Sequence, residues 1–245
     1  MTPDERLALE EAAARAWPHR REHVIDGWRV RLSGGGSKRA NSVQTLRWSG
    51  QDAGAAIRDV EALYRADGQP AIFQVVDISV PGDLDARLER RGYRVVDRTI
   101  LMTKRVERHA QTQIDAGRFA HAPAAWFDVY LSTVTPDRRA TAPAIIAGLP
   151  DPKCFFVADV DGAPAAVGLG VAEGSYAGVE CMATLTTARR SGGARRVMRD
   201  LEHWAAELGA ETLWLQVVEA NTPARRLYES LGFEAQGMYW YRVAG

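Results

Sequence analysis

Two clusters of residues in the last quarter of the chain have types and spacing that could do chemistry. The first is Arg189-Arg190-Ser191-Gly192-Gly193-Ala194, which follows the strand-like run VECMATL and precedes a helical pattern. A strand, a tight glycine turn and a helix N-terminus leave main-chain N–H groups without partners. The helix dipole points its positive end the same way, so the turn suits a phosphate. Glycines let the backbone approach the anion closely, and Arg189, Arg190 and Arg195 add charge. The second cluster is Asn221, Ala224, Tyr228 and the pair Gly232-Phe233, within LQVVEANTPARRLYESLGF.

The elements that must position these residues occur twice. IRDVEALYRADGQPAIFQVVD (57–77) lies beside MRDLEHWAAELGAETLWLQVVE (198–219), and each reads as helix, glycine, strand. Val197, Met198, Leu201, Trp204, Ala205 and Leu208 fall on one helical face, as do Ile57, Val60, Leu63 and Tyr64 in the first copy. Gly68 and Gly209 stand where helix C-caps are expected. Each copy continues through a short helix to a closing strand, YRVVDRTILM or FEAQGMYWYRV. Upstream, WRVRL and NSVQTLRW read as strands, as do CFFVADV, AAVGLGVA and AGVECMATLT. Asp161-Gly162 marks a hairpin between the first two of the latter set. The polar segment 104–123 reads as a linker, and 123–150 as two short helices without a counterpart in the first copy. The expected architecture is therefore α+β, with two tandem domains over 1–108 and 109–245, each a mixed, mostly antiparallel sheet flanked by helices.

Composition narrows the function classes. With 31 basic and 31 acidic residues, net charge gives no reason to expect a nucleic acid or an anionic membrane as partner. No run approaches the roughly 18 apolar residues of a membrane span, and the N-terminus reads as an acidic amphipathic helix, so a cytoplasmic protein is expected. Cys154 and Cys181 lie in apolar runs and are expected to be reduced thiols. No metal-ligand spacing is evident. Pairing of two domains in one chain favours a monomer.

On these motifs the sequence resembles the GNAT acyltransferase superfamily. Arg189, Gly192 and Ala194 fill its Arg/Gln-x-x-Gly-x-Gly/Ala signature, while Asn221, Ala224, Tyr228, Gly232 and Phe233 fill its Asn-x-x-Ala-x-x-x-Tyr and Gly-Phe signature. The resemblance covers roughly residues 122–245. It implies acetyl-CoA as co-substrate and no metal. The pyrophosphate would lie on Arg189, Arg190, Ser191, Gly192, Gly193 and Ala194. The pantetheine arm would run along the backbone of Met182, Ala183 and Thr184, beside a strand that splays away. Tyr228 would be the general acid that protonates the departing thiolate, since a phenol keeps its proton at neutral pH. Glu180 is the first candidate for the base and Glu173 the second. Asn221 would hold the strand end and bond the cofactor arm, or serve only as a helix N-cap.

The implied activity is direct acetyl transfer to a primary amine on a small molecule or peptide. A non-catalytic acyl-CoA-binding module is the alternative. In the first copy the turn reads Ser49-Gly50-Gln51-Asp52-Ala53-Gly54, and Asp52 would set negative charge where a pyrophosphate should lie. That copy is expected to keep the framework without the cofactor site.

Overall fold

A computed structural model describes residues 1–107 and 114–245. Part of the linker expectation therefore falls outside the described residues. The chain divides into two compact units. One comprises Met1–Leu101, Val217–Thr222 and Ala235–Gly245, and the other Met102–Gln216 and Pro223–Glu234. Both are α+β. Among the described residues no helix is long and apolar enough to cross a membrane.

The first unit begins with helix α1 (Pro3–Arg15), closed at its start by a capping box in which Thr2 and Glu5 bond each other's main-chain N–H. Strands β1 (Arg21–Ile25), β2 (Trp28–Leu32) and β3 (Val43–Gln44) follow, then α2 (Ala53–Ala66), β4 (Ile72–Val76), α3 (Leu84–Arg90) and β5 (Arg94–Arg105). NSVQTLRW yields only the two strand residues of β3, and β1 was not legible because its residues are nearly all exposed. The order of the sheet in this unit is β1-β2-β3-β4-β11-β5, where β11 (Glu234–Val243) is the last strand of the chain. Strand β11 runs antiparallel to β4, with Trp240 opposite Val75.

Alternation along β11 sends its side chains to two faces. Tyr239 and Tyr241 are buried against Ile72 and Val76, their ring centroids 5.4 Å apart. Trp240 and Arg242 turn the other way and bond Asp85 on α3, at 2.8 Å from the indole and 2.7 Å from Arg242 Nε. That second face carries the main apolar cluster, which includes Trp28, Phe73, Ile57, Val60 and Tyr64. Trp17 and Trp28 are core residues. The inner side of α1 is less apolar than an amphipathic reading suggests, because Arg6 and Glu10 are both buried there as an ion pair of 2.7 Å.

The second unit contains β6 (Gly117–Phe119), α4 (Ala124–Thr133), α5 (Pro136–Ala147), β7 (Lys153–Val160), β8 (Ala163–Glu173), β9 (Tyr176–Thr184), α6 (Gly193–Glu207) and most of β10 (Thr212–Val218) and α7 (Thr222–Glu229). The order is β10-β9-β8-β7-β6. The pairs β6–β7, β7–β8 and β8–β9 are antiparallel, and β9–β10 is parallel. Strand β6 is absent from the sequence reading because three residues carry too little periodicity. The hairpin at Asp161-Gly162 is present, both residues having the positive φ (53° and 81°) that a tight hairpin turn needs.

Three glycines let large side chains approach this sheet closely. Gly168 is covered by Met182 and Val197, Gly170 by Trp204 and Gly178 by Trp214. A Cβ at Gly178 would overlap the Trp214 ring, which is buried. Gly178→Ala is therefore expected to destabilise the protein by about 1–3 kcal/mol through overpacking. An unchanged urea midpoint would show that Trp214 moves aside freely.

Candidate acetyl-transfer site

The site is built around the last half of β9. The parallel ladder holds Thr212–Leu215 against Tyr176–Val179 and stops there, while β9 stays paired with β8 up to Thr184. The two parallel strands thus part at the level of Glu180. At the same level β9 bulges. Leu169 stands opposite Glu180 and Val167 opposite Ala183, so two steps on β8 match three on β9. Cys181 takes up the extra residue with φ +51°, left-handed geometry that a side chain adopts only at a cost. A bulge re-aims main-chain groups, here along Met182, Ala183 and Thr184, the stretch implied as the track of a pantetheine arm.

After Thr184 the chain makes a short 3₁₀ turn (Thr186–Ala188) and reaches the glycine turn. Ser191 Oγ bonds Ala188 O at 2.6 Å, Arg190 has φ +66° and Gly192 has φ +86°. Gly192 is the N-cap of α6, and no side chain caps that end of the helix; the first turn also lacks an acidic residue. The N–H groups of the first turn have no intrahelical acceptor, so an anion can serve them. Gly193 brings the start of α6 against β8, where a Cβ would meet that of Ala166 at 2.9 Å.

The first unit shows the opposite arrangement at the repeated position. Asp52 caps α2, its carboxylate accepting from the N–H of Gly54 at 2.8 Å and of Ala55 at 3.1 Å. Those bonds hold its carboxyl below the usual range. The anion at that helix end is the protein's own side chain, a closer occupation than the unfavourable nearby charge expected from sequence.

Glu180 and Tyr228 are brought together within the second unit. Both are buried, at 4% and 8% exposure. The Tyr228 ring packs edge-on to Phe233 with centroids 6.0 Å apart. Burial pushes the Tyr228 hydroxyl up to about 12, and the charge of Glu180 contributes in the same direction. Tyr228 is therefore protonated throughout the neutral range. Glu173 ends β8 and is exposed. Ala224 lies in the first turn of α7. Asn221 belongs to the first unit, is exposed, and immediately precedes α7, with its N–H bonded to Val218 O at 2.9 Å. The bulge at Cys181 was missed in the sequence, where no residue type marks it. Among the described residues no group of three or more His, Cys, Asp or Glu side chains is placed to hold a metal ion.

The parted parallel strands, the bulge and the uncapped helix after a glycine turn lie in the second unit, and they are the framework of an acetyltransferase of the GNAT type in a chain of the tandem kind. The fold agrees with a GCN5-related N-acetyltransferase from Kribbella flavida, at 17% identity, TM-score 0.72 and coverage of 98% of this chain and 94% of that one. It also agrees with a tandem GNAT protein from the clavulanic acid biosynthesis pathway, at 17% identity, TM-score 0.58 and coverage of 83% and 75%. Closer in sequence is the uncharacterized N-acetyltransferase YobR of Bacillus subtilis (strain 168), 30% identical over 250 residues that cover 98% of this chain and 99% of the relative. The chain belongs to the family described as "Probable histone acetyltransferase Rv0428c C-terminal", whose model matches residues 3–242.

Proposed function

We propose that the second unit binds one acetyl-CoA and transfers its acetyl group directly to a primary amine. The observation that carries this reading is the uncapped N-terminus of α6 at Gly192, next to the point where β9 leaves β10. The pyrophosphate would accept from the turn 189–194, and the thioester would lie near the bulge.

Attack by the amine lone pair forms the C–N bond, and collapse of the intermediate breaks C–S. The amine must lose a proton and the departing sulfur must gain one. Glu180 is the proposed acceptor of the first and Tyr228 the donor of the second. A hydroxyl held at about 12 is a weak donor in water. A thiolate expelled into the same dry surroundings is more basic than in water for the same reason, so the transfer is better matched than reference values suggest. The charge of Glu180 raises Tyr228, so a proton arriving on Glu180 removes part of what holds the phenolic proton. The base step then primes the acid step.

The test is a calorimetric titration with acetyl-CoA, followed by thiol release with a panel of amines that includes lysine-containing peptides. One site per chain and amine-dependent release are expected. Two sites would overturn the reading that Asp52 closes the first unit. Absence of binding up to about millimolar, roughly −4 kcal/mol, would remove the proposal. Binding without release for any amine would leave an acyl-CoA-binding module.

A further inference from the structure

The first unit buries charge on the side of its sheet that α1 covers. Leu7 of α1 packs there on the cluster of Ile72, Val76, Tyr239 and Tyr241, and Gln44 Nε2 donates to the main-chain O of Glu10 at 3.4 Å. Strand register sets the rest. Gln44 stands opposite Gln74, and Gln74 opposite Tyr241, so β3, β4 and β11 lay a polar row across this face. Arg31 of β2 joins the row. Its Nε donates to the main-chain O of Ser42 at 3.1 Å, and its Nη2 donates to Ser42 Oγ at 3.1 Å and to Gln74 Oε1 at 2.9 Å. Further along β11, Gly237 leaves room for the Arg6 head, which a Cβ at that position would overlap.

Several of these groups have donors to spare. Arg31 is 2% exposed, and its bonds all go to neutral oxygens. A guanidinium has five N–H donors, so the two on Nη1 remain for another acceptor. Tyr241 is 3% exposed, and its hydroxyl is buried with no hydrogen-bond partner. Arg6 Nε and Nη1 are buried without partners, although its Nη2 is paired with Glu10 at 2.7 Å. The ionised groups buried on this face are Arg6, Arg31 and Glu10, which leaves one positive charge in excess. Stability alone does not account for the arrangement. A buried cation without an anion and a buried donor without an acceptor both cost free energy, and apolar side chains of similar volume would avoid it. Burial also drives the Tyr241 hydroxyl well above the ordinary phenol range, so it keeps its proton and can donate. The unfilled groups are therefore all donors, set around one uncompensated charge. Arg39, half-buried over the Trp17 ring at 4.1 Å, acts by its charge on both Tyr239 and Tyr241 and links the row to the surface.

We propose that this face of the first unit binds a small organic monocarboxylate, held by Arg31 Nη1 and Tyr241 Oη. One negative charge matches the one in excess, whereas a dianionic phosphate would reverse the imbalance. The two oxygens of a carboxylate can accept from a guanidinium edge and from a phenol at once, through charge-assisted bonds. The site is built from first-unit residues alone and does not depend on the cofactor reading.

Calorimetry with propionate and benzoate, each compared with its primary amide and with inorganic phosphate at fixed ionic strength, tests this. At least one of the two carboxylates is expected to bind with a Kd of about 1 mM or tighter, and its amide at least about tenfold more weakly. Tyr241→Phe removes one oxygen that has no partner. The variant should therefore unfold at an unchanged or higher temperature and bind the carboxylate about tenfold or more weakly. Gly192→Glu alters the other place suited to an anion, the start of α6, and should leave this binding as it is. Should Tyr241→Phe not fold, the comparison of acid, amide and phosphate on Gly192→Glu decides. Failure of the wild type to bind either carboxylate up to about 10 mM overturns the proposal. Equal binding of acid and amide, tighter binding of phosphate, or wild-type affinity in Tyr241→Phe also overturns it. Loss of binding in Gly192→Glu would assign the carboxylate to the glycine turn, which overturns the proposal and leaves the cofactor reading intact.

Discussion

Tyr228→Phe is expected to lower kcat by about 10²–10⁴-fold while leaving the affinity for acetyl-CoA within about twofold. The substitution removes one oxygen from a buried ring that keeps its edge-on contact with Phe233. Packing is preserved, so stability should change little. Only the proton donor is lost, and a general acid acts on the transition state more than on the bound ground state. Kd from calorimetry and kcat from thiol release separate the two effects. An unchanged kcat would show that the sulfur leaves without help from Tyr228. A parallel loss of affinity and kcat would make Tyr228 a binding residue. The ring should also resist ionisation, because burial and Glu180 hold its hydroxyl at about 12. If Tyr228 is the acid, the rate should therefore show no alkaline fall from this group near 10, the ordinary phenol value.

Gly192→Glu is expected to abolish acetyl-CoA binding up to about millimolar concentration. Two causes act together. Gly192 has φ +86°, where a residue with a Cβ is strained by roughly 1–2 kcal/mol. Space is not the problem, since a Cβ there would meet nothing within 4 Å. The larger cause is charge. The new carboxylate would stand at the helix end that the pyrophosphate needs, much as Asp52 does at the start of α2. Gly192→Ala separates the causes, since it keeps the backbone strain and omits the charge, and it should lose far less affinity. Equal losses for the two variants would make backbone geometry, and not electrostatics, the determinant of this turn.

Much of this protein was legible because the signals are local. The helix periodicities of α2 and α6, the glycines at positions 68 and 209, and the strands β4 and β10 depend on neighbours in sequence, and they stand as read. So does the succession of β9, glycine turn and α6, which depends on residues close together in the sequence. The sequence also set an acidic residue, Asp52, at the matching turn of the first copy, although its direct bonds to Gly54 and Ala55 needed coordinates.

What tertiary structure decided were relations between distant segments. Strand β11 follows α7 in the chain, yet it pairs with β4, about 165 residues earlier, through an antiparallel register that no local pattern encodes. The bulge at Cys181 depends on how many residues β8 sets opposite β9, a count that belongs to the pair of strands. Glu180 and Tyr228 lie 48 positions apart in sequence, on β9 and α7. Their electrostatic interaction joins a strand and a helix that are far apart in the chain, just beyond the end of the β9–β10 ladder at Val179 and Leu215. Residue types thus set which chemistry is available, and strand register set which of those residues meet.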